Sequence, residues 1–167
     1  MCRPAFVFVT FVAASVLSCG AVANEVCSEL DKIVSQRNSG FASLKGPLKR
    51  ESRSGYREFQ ATYLLPGADE CLIWERPDPE DEAPVGYVCR WNFPDAVASK
   101  AKAKALAAAV AKCGKASPPK YDSTEQESWQ TQFMQNIAVG GATIQVKSGL
   151  PGKLKDRDHY QVGLSVD

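Results

Sequence analysis

The sequence predicts an α+β domain in which an antiparallel sheet carries two helices on one face and is tied by two disulfides. Apolar residues recur at helical spacing in two segments and at alternate positions in several others. Their order is helix, three strands, helix, then two or three strands. Four cysteines lie beyond a leader-like amino terminus, and an even number of cysteines in an exported chain is typical of a disulfide framework.

The amino-terminal segment 1–23 has the order of a secretory signal peptide. Arg3 precedes an uncharged apolar run over 4–17, and small residues follow up to Ala23. The apolar run is shorter than the roughly 20 residues that a transmembrane helix needs. We therefore expect cleavage after Ala23, no transmembrane segment, a single domain over 24–167, and a periplasmic or secreted protein.

A second interpretation of this segment depends on Cys19. The sequence Val-Leu-Ser-Cys over 16–19 approximates the lipobox, in which the cysteine becomes lipidated. The protein would then be a lipid-anchored structural accessory protein of the bacterial envelope.

The charge balance argues against a polyanionic partner. Lys and Arg number 20 against 19 Asp and Glu, and the two counts become equal once Arg3 is removed with the leader. A neutral chain is not drawn as a whole onto nucleic acid or anionic lipid. The alternating Ala and Lys residues over 100–112 are interpreted as an exposed helix face, because no aromatic or Arg side chains are interleaved. We expect no nucleic-acid partner.

Two helices are predicted from apolar spacing. The first covers 24–38 with Asn24 as its N-cap, and the second covers 95–113 with Asp95 as its N-cap. Gly114 is predicted to end the second helix. The buried stripe of that helix is predicted to be Ser99, Ala103, Leu106, Val110 and Cys113.

The strands are predicted where apolar residues alternate with polar ones. The predicted strands cover 56–65, 71–75, 85–93, 129–137, 142–147 and 160–166. The fourth of these could instead be a short helix. Residues 44–55 are interpreted as a basic connector and residues 114–128 as a linker, because both are rich in charge with Gly or Pro.

The four remaining cysteines allow three connectivities, and the predicted elements favour one. Pairing Cys71 with Cys89 sets a hairpin register that keeps every core-facing residue on one side. Other pairs in this register are Ile73–Tyr87 and Trp74–Gly86. Cys27 begins one helix and Cys113 ends the other. Antiparallel packing of the two helices would bring these cysteines close enough to form a disulfide. By the chain-entropy model the long bridge contributes about 4 kcal/mol and the hairpin bridge about 3 kcal/mol.

The sequence contains no recognisable catalytic or metal-binding motif. Its single histidine, His159, has no nucleophile motif beside it. The sequence also has no Cys-x-x-Cys motif and no Gly-rich phosphate-binding loop. We expect no catalytic residue, no metal and no cofactor. An alternative is a hydrolase of cell-wall glycans, because a carboxylate pair can catalyse that reaction without histidine. The sequence does not identify such a pair.

A candidate partner-binding surface lies on the sheet face opposite the core residues. The predicted registers place Leu64, Leu72 and Val88 in a row, with Trp74 near Thr62 and with Arg90 beside them. An apolar surface that contains Trp and is rimmed by charge is typical of protein recognition. Alternatively, the C-terminal strands or residues 114–128 could cover this face. Next to it, a proline-stiffened hairpin loop carries the acidic residues Asp78, Glu80, Asp81 and Glu82, which suit a basic partner.

Two resemblances accompany these predictions. The sequences "LPGADEC" over 65–71, "YVCRW" over 87–91 and "AVAKC" over 109–113 are similar to those of small exported four-cysteine bacterial proteins of unassigned role. The element order resembles the chaperone-like fold of type III secretion chaperones. The sequence as a whole therefore favours an exported, non-enzymatic binding protein that recognises another protein of the periplasm, of the immunity or inhibitor type.

Overall fold

The structure, a computed structural model, describes residues 19–76, 85–126, 129–151 and 160–167, with side chains for 25–76, 85–121, 131–150 and 160–167. The helices are α1 (Cys19–Val34) and α2 (Ala96–Val110), and short 3-10 turns cover Arg37–Ser39 and Ala42–Leu44. The strands are β1 (Lys45–Glu51), β2 (Arg57–Ala61), β3 (Glu70–Glu75), β4 (Val85–Phe93), β5 (Lys115–Ala116), β6 (Lys120–Gln126), β7 (Trp129–Val139), β8 (Ala142–Pro151) and β9 (Tyr160–Val166).

The strands form one antiparallel sheet in the order β1-β2-β3-β4-β9-β8-β7, and the short strands β5 and β6 both pair with β7. Both helices pack on one face. Buried residues of α1 and α2 share a core with alternate residues of the central strands, among them Ile73, Tyr87, Val146 and Leu164. The α+β class with two helices on one face of an antiparallel sheet is therefore confirmed.

Three strands were not predicted. β1 lies in the segment interpreted as a connector, and β5 and β6 lie in the segment interpreted as a linker. All three lie at the ends of the sheet. Their outer edges are not covered by the core, so their sequences need no alternation of apolar and polar residues. The ambiguous segment that begins at Trp129 is a strand, β7, which pairs with β8 along most of its length.

The two helices differ from their predicted bounds at their ends. α1 already begins at Cys19, so Asn24 is not its N-cap. In α2 the predicted cap is confirmed, because Asp95 Oδ1 accepts a hydrogen bond from the Ala98 amide at 2.7 Å. The buried residues of α2 are Ser99, Ala103, Ala107 and Val110. Leu106 and Cys113, predicted in the stripe, are partly buried against the core.

Both predicted disulfides are confirmed. Cys27 is bonded to Cys113 and Cys71 to Cys89. The β3–β4 register is also the predicted one, with Ile73 opposite Tyr87 and Trp74 opposite Gly86. Two disulfides are consistent with an exported protein. Among the described residues, no helix has both the length and the apolar character needed to cross a membrane.

Candidate functional site

The side chains that β2, β3 and β4 direct away from the helices form a surface that we call the outer face. Successive side chains of a strand point to opposite sides, so each strand contributes its non-core residues. The outer-face residues of these strands are Glu58, Gln60, Glu70, Leu72, Trp74, Val88 and Arg90. Four residues predicted for partner binding therefore share one face: Leu72, Trp74, Val88 and Arg90.

Leu64, which was also predicted in this row, does not belong to it. β2 ends at Ala61, and its register places Gln60 opposite Leu72 and Glu58 opposite Trp74. The prediction that Thr62 lies near Trp74, with Leu64 beside Leu72, was therefore wrong. The predicted strand covered 56–65 and so continued beyond Ala61, where β2 ends, which shifted the inferred pairing. Leu64 is 43% exposed in the connection after β2.

The outer face is also less apolar than the sequence indicated. Leu72 is only 1% exposed, and Val88, its partner on β4, is half-buried. Neither segment that was considered as a cover lies over this face along its described length. β5 and β6 pair with the edge of β7, and β9 lies within the sheet beside β4. An ion pair does cross it, because Lys49 of β1 contacts Glu70 of β3 across β2.

The Trp74 ring lies over a glycine. A Cβ on Gly86 would come within 2.4 Å of the Trp74 ring, so only glycine leaves room for the indole in this position. The ring of Tyr56 stacks beside Trp74, with 6.5 Å between ring centroids and 21° between planes. The guanidinium of Arg76 lies 5.2 Å from the Trp74 ring. Trp74 is thereby held in one orientation and remains half-buried.

A buried carboxylate supports this pair of rings. Glu58 is 6% exposed, and its two oxygens have different partners. Arg50 Nε lies 3.0 Å from one oxygen, and Tyr56 Oη donates to the other at 3.1 Å. Burial and the Glu58 carboxylate raise the pKa of Tyr56, so its hydroxyl remains a donor. The carboxylate thus fixes one aromatic side chain and one arginine. We call Arg50, Tyr56, Trp74 and Arg76 the aromatic patch.

Two basic residues, Arg90 and Lys147, lie on the side of the sheet that faces away from the helices. Arg90 lies opposite Gly163, and Gly163 lies opposite Lys147, so the three positions form a row across β4, β9 and β8. Burial and the neighbouring Arg90 charge lower the pKa of Lys147. Arg90 in turn lies 3.7 Å from Glu70. Charged groups of both signs therefore lie on the same side of the sheet as the buried Leu72.

Sequence reasoning missed Arg50, Tyr56 and Glu58 as members of this site. Arg50 could not be placed because β1 was interpreted as a connector, and Arg50 faces Glu58 only through the β1–β2 pairing. A signal was available for Tyr56, which lies two residues before Glu58 and hence near the same face of a strand. The acidic residues Asp78, Glu80, Asp81 and Glu82 lie outside the described residues, as does His159.

The described residues also bear on cofactor binding. Within these parts of the chain, no three His, Cys, Asp or Glu side chains are close enough together to hold a metal ion. The outer face instead offers an aromatic stack, arginines and a supporting carboxylate. These groups suit non-covalent recognition, in which aromatic surface is buried and guanidinium groups donate hydrogen bonds.

Comparison with protein-family models, curated proteins and solved structures found no match. The two resemblances noted from the sequence therefore stay predictions.

Proposed function

We propose that this protein is an exported, non-enzymatic binding protein that recognises another protein through the aromatic patch. The observation that carries the proposal is the stack of Tyr56 on Trp74 with Arg50 and Arg76 beside it. Trp, Tyr and Arg are the residues most enriched among those that dominate binding energy in protein interfaces. Here they adjoin one another on the sheet face opposite the helices.

The rigidity of the patch supports the same proposal. Gly86 lies beneath the Trp74 ring, and Glu58 holds both Tyr56 and Arg50. The Cys71–Cys89 disulfide links the two strands that carry Trp74 and Gly86. Side chains that are already ordered lose little conformational entropy when a partner binds. A pre-ordered patch suits tight recognition of one partner.

The class of partner follows from the setting. An exported protein with two disulfides meets other envelope or secreted proteins, and it must function without a cytoplasmic energy source. We propose an inhibitor or immunity type of role, in which the patch covers a functional surface of a toxin or a hydrolase. The acidic residues Asp78, Glu80, Asp81 and Glu82 are proposed to add attraction for a basic partner.

The test is affinity capture from periplasmic extract, quantified by mass spectrometry. We compare the wild-type protein with the variants Trp74→Ala and Tyr121→Ala. Tyr121 is a matched control, because it is 50% exposed and has the ammonium groups of Lys100 and Lys104 over its ring, on the helix side of the sheet. We expect one protein to be enriched by the wild type and by Tyr121→Ala, and to be depleted with Trp74→Ala by tenfold or more, since such anchors contribute about 2 kcal/mol or more.

A thermal unfolding curve for each variant shows that the protein is folded at the capture temperature. Equal recovery of the same partner by wild type and Trp74→Ala would contradict the proposal. The glycan hydrolase is the competing function. The described outer-face carboxylates are ion-paired, Glu58 with Arg50 and Glu70 with Arg90. Turnover of peptidoglycan fragments that a single carboxylate substitution abolishes would favour that alternative.

A further inference from the structure

Within the aromatic patch, Arg50 has the capacity for a second acceptor. Its Nε lies 3.0 Å from Glu58, which is its only acidic partner among the described residues. The Arg50 side chain is nevertheless 65% exposed. A guanidinium has five N–H donors in a planar fork, so a contact at Nε leaves donors on the two terminal nitrogens. These donors can meet an acceptor that a partner supplies.

The surroundings of Arg50 carry more positive than negative charge. On the described outer face of β1 to β4, together with Arg76 directly after β3, basic residues outnumber carboxylates, and both carboxylates are already ion-paired. The basic residues are Lys49, Arg50, Arg76 and Arg90, and the carboxylates are Glu58 and Glu70. An excess of positive charge on one surface favours an anionic group on the surface that meets it.

Arg50 and Trp74 lie on either side of Glu58 in one row across three strands. Arg50 is opposite Glu58 in the β1–β2 pairing, and Glu58 is opposite Trp74 in the β2–β3 pairing. Neighbouring strands are about 4.8 Å apart, so the backbone positions 50 and 74 are separated by about 10 Å. The Tyr56 ring stacks beside Trp74. A bound chain can therefore cover the two rings with one apolar side chain while the next side chain reaches Arg50.

A carboxylate suits this position, because it is the anion that protein side chains carry and because Arg binds it through two parallel hydrogen bonds. We infer that the partner presents an Asp or Glu side chain to the terminal nitrogens of Arg50 and a neighbouring apolar side chain to the Tyr56–Trp74 stack, a chemistry that rests on the proposed function of the patch. The attraction proposed for residues 78–82 concerns basic groups elsewhere on the partner.

The test uses two blocked dipeptides as probes, acetyl-Phe-Glu-amide and its uncharged isostere acetyl-Phe-Gln-amide. The intact protein is labelled with ¹⁵N, and the indole N–H signal of Trp74, assigned with the variant Trp74→Phe, is followed by NMR during titration at neutral pH. We expect the Glu peptide to shift this signal saturably. The Gln peptide should bind about tenfold more weakly, because it cannot form charge-assisted hydrogen bonds with Arg50.

A pair of arginine variants shows whether Arg50 is the source of this preference. Arg50→Gln should abolish the preference for the Glu peptide. Arg53→Gln is the matched control, because Arg53 is an exposed residue of the connection between β1 and β2, and it should retain the tenfold preference. A thermal unfolding curve shows whether Arg50→Gln is folded, since Glu58 loses its cation there. The comparison of the two peptides on the wild type needs no variant and decides the case if Arg50→Gln is unfolded.

Four results would each overturn the inference. They are no saturable shift with the Glu peptide, equal affinity of the wild type for the Glu and Gln peptides, an unchanged preference in folded Arg50→Gln, and tighter binding of acetyl-phenylalanine, whose carboxylate is that of a chain terminus, than of the Glu peptide. Capture through Trp74 tests the proposed function separately from all four results.

Discussion

Trp74 occupies the space that a side chain at position 86 would need, and this steric relation can be measured. Gly86→Ala should reduce the free energy of unfolding by about 1–3 kcal/mol, the usual cost of overpacking, because the new Cβ meets the indole. In a Trp74→Ala background the same substitution should cost much less, since the ring is gone. Chemical denaturation of the four proteins in this cycle gives both values. Equal costs in the two backgrounds would show that Trp74 does not lie over Gly86.

Tyr87 should make the free energy of unfolding depend on pH. Its Oη donates to the carbonyl of Tyr63 at 2.6 Å, and burial raises the pKa of this hydroxyl above its ordinary value of 10.0. Above that pH the tyrosine ionises in the unfolded chain while it stays protonated in the folded one. Unfolding then releases a proton, so the stability contributed by the buried hydroxyl is lost as the pH rises.

The variant Tyr87→Phe tests this coupling. Near neutral pH it should be less stable than the wild type by about 1 kcal/mol, because a hydrogen bond is lost and the Tyr63 carbonyl is left without its donor. The difference should shrink at about pH 11, since the phenylalanine has no proton to release. Urea denaturation at both pH values provides the comparison. An unchanged difference would rule out Tyr87 as the source of the pH dependence.

At the scale of elements, the Cys27–Cys113 disulfide holds α1 in place. α1 packs mainly on α2, and its buried residues include Leu30 and Ile33. Replacing both cysteines by serine should reduce the stability by about 4 kcal/mol in the chain-entropy model. It should also raise amide hydrogen exchange throughout α1 while β3 and β4 stay protected.

The hairpin bridge is the matched control for that experiment. The Cys71–Cys89 bridge closes a shorter loop, with a sequence separation of 18 residues against 86 for the other pair. Replacing both of its cysteines by serine should reduce the stability by about 3 kcal/mol. Its exchange changes should centre on β3 and β4. If either pair of substitutions raised exchange uniformly over the molecule, the bridges would not be holding separate elements.

The sequence predicts the central strands of this sheet better than the strands at its edges. The register of β3 with β4 followed from Cys71, Cys89 and the alternation around them, because one slip would have turned the core residues outward. The marginal strand β1 gave no such signal. Its edge is not buried, so the sequence Lys-Gly-Pro-Leu-Lys-Arg-Glu can pair with β2 without apolar alternation.

The residues of the candidate site could be predicted only where the strands that carry them were predicted. Leu72, Trp74, Val88 and Arg90 were placed on a common face from the β3–β4 hairpin alone. Arg50 and Glu58 were not, because their contact depends on the unpredicted pairing of β1 with β2.

At the scale of the whole molecule, the two faces of the sheet differ in composition. The helix face contains the core. The outer face has the buried Leu72, the ion pair of Lys49 with Glu70 and the aromatic patch. Because the helices and both disulfides hold the sheet from its other side, the outer face can contact a partner without any rearrangement of the core.

Photo-crosslinking in living cells tests the proposed recognition most directly. A photoreactive phenylalanine derivative replaces Trp74 in one variant and Tyr121 in another, so that an aromatic side chain is kept at each position. The account predicts that irradiation at position 74 yields an adduct with one envelope or secreted protein, and that position 121 yields none with it. No adduct from position 74, or the same adduct in equal amount from both positions, would contradict recognition through the aromatic patch.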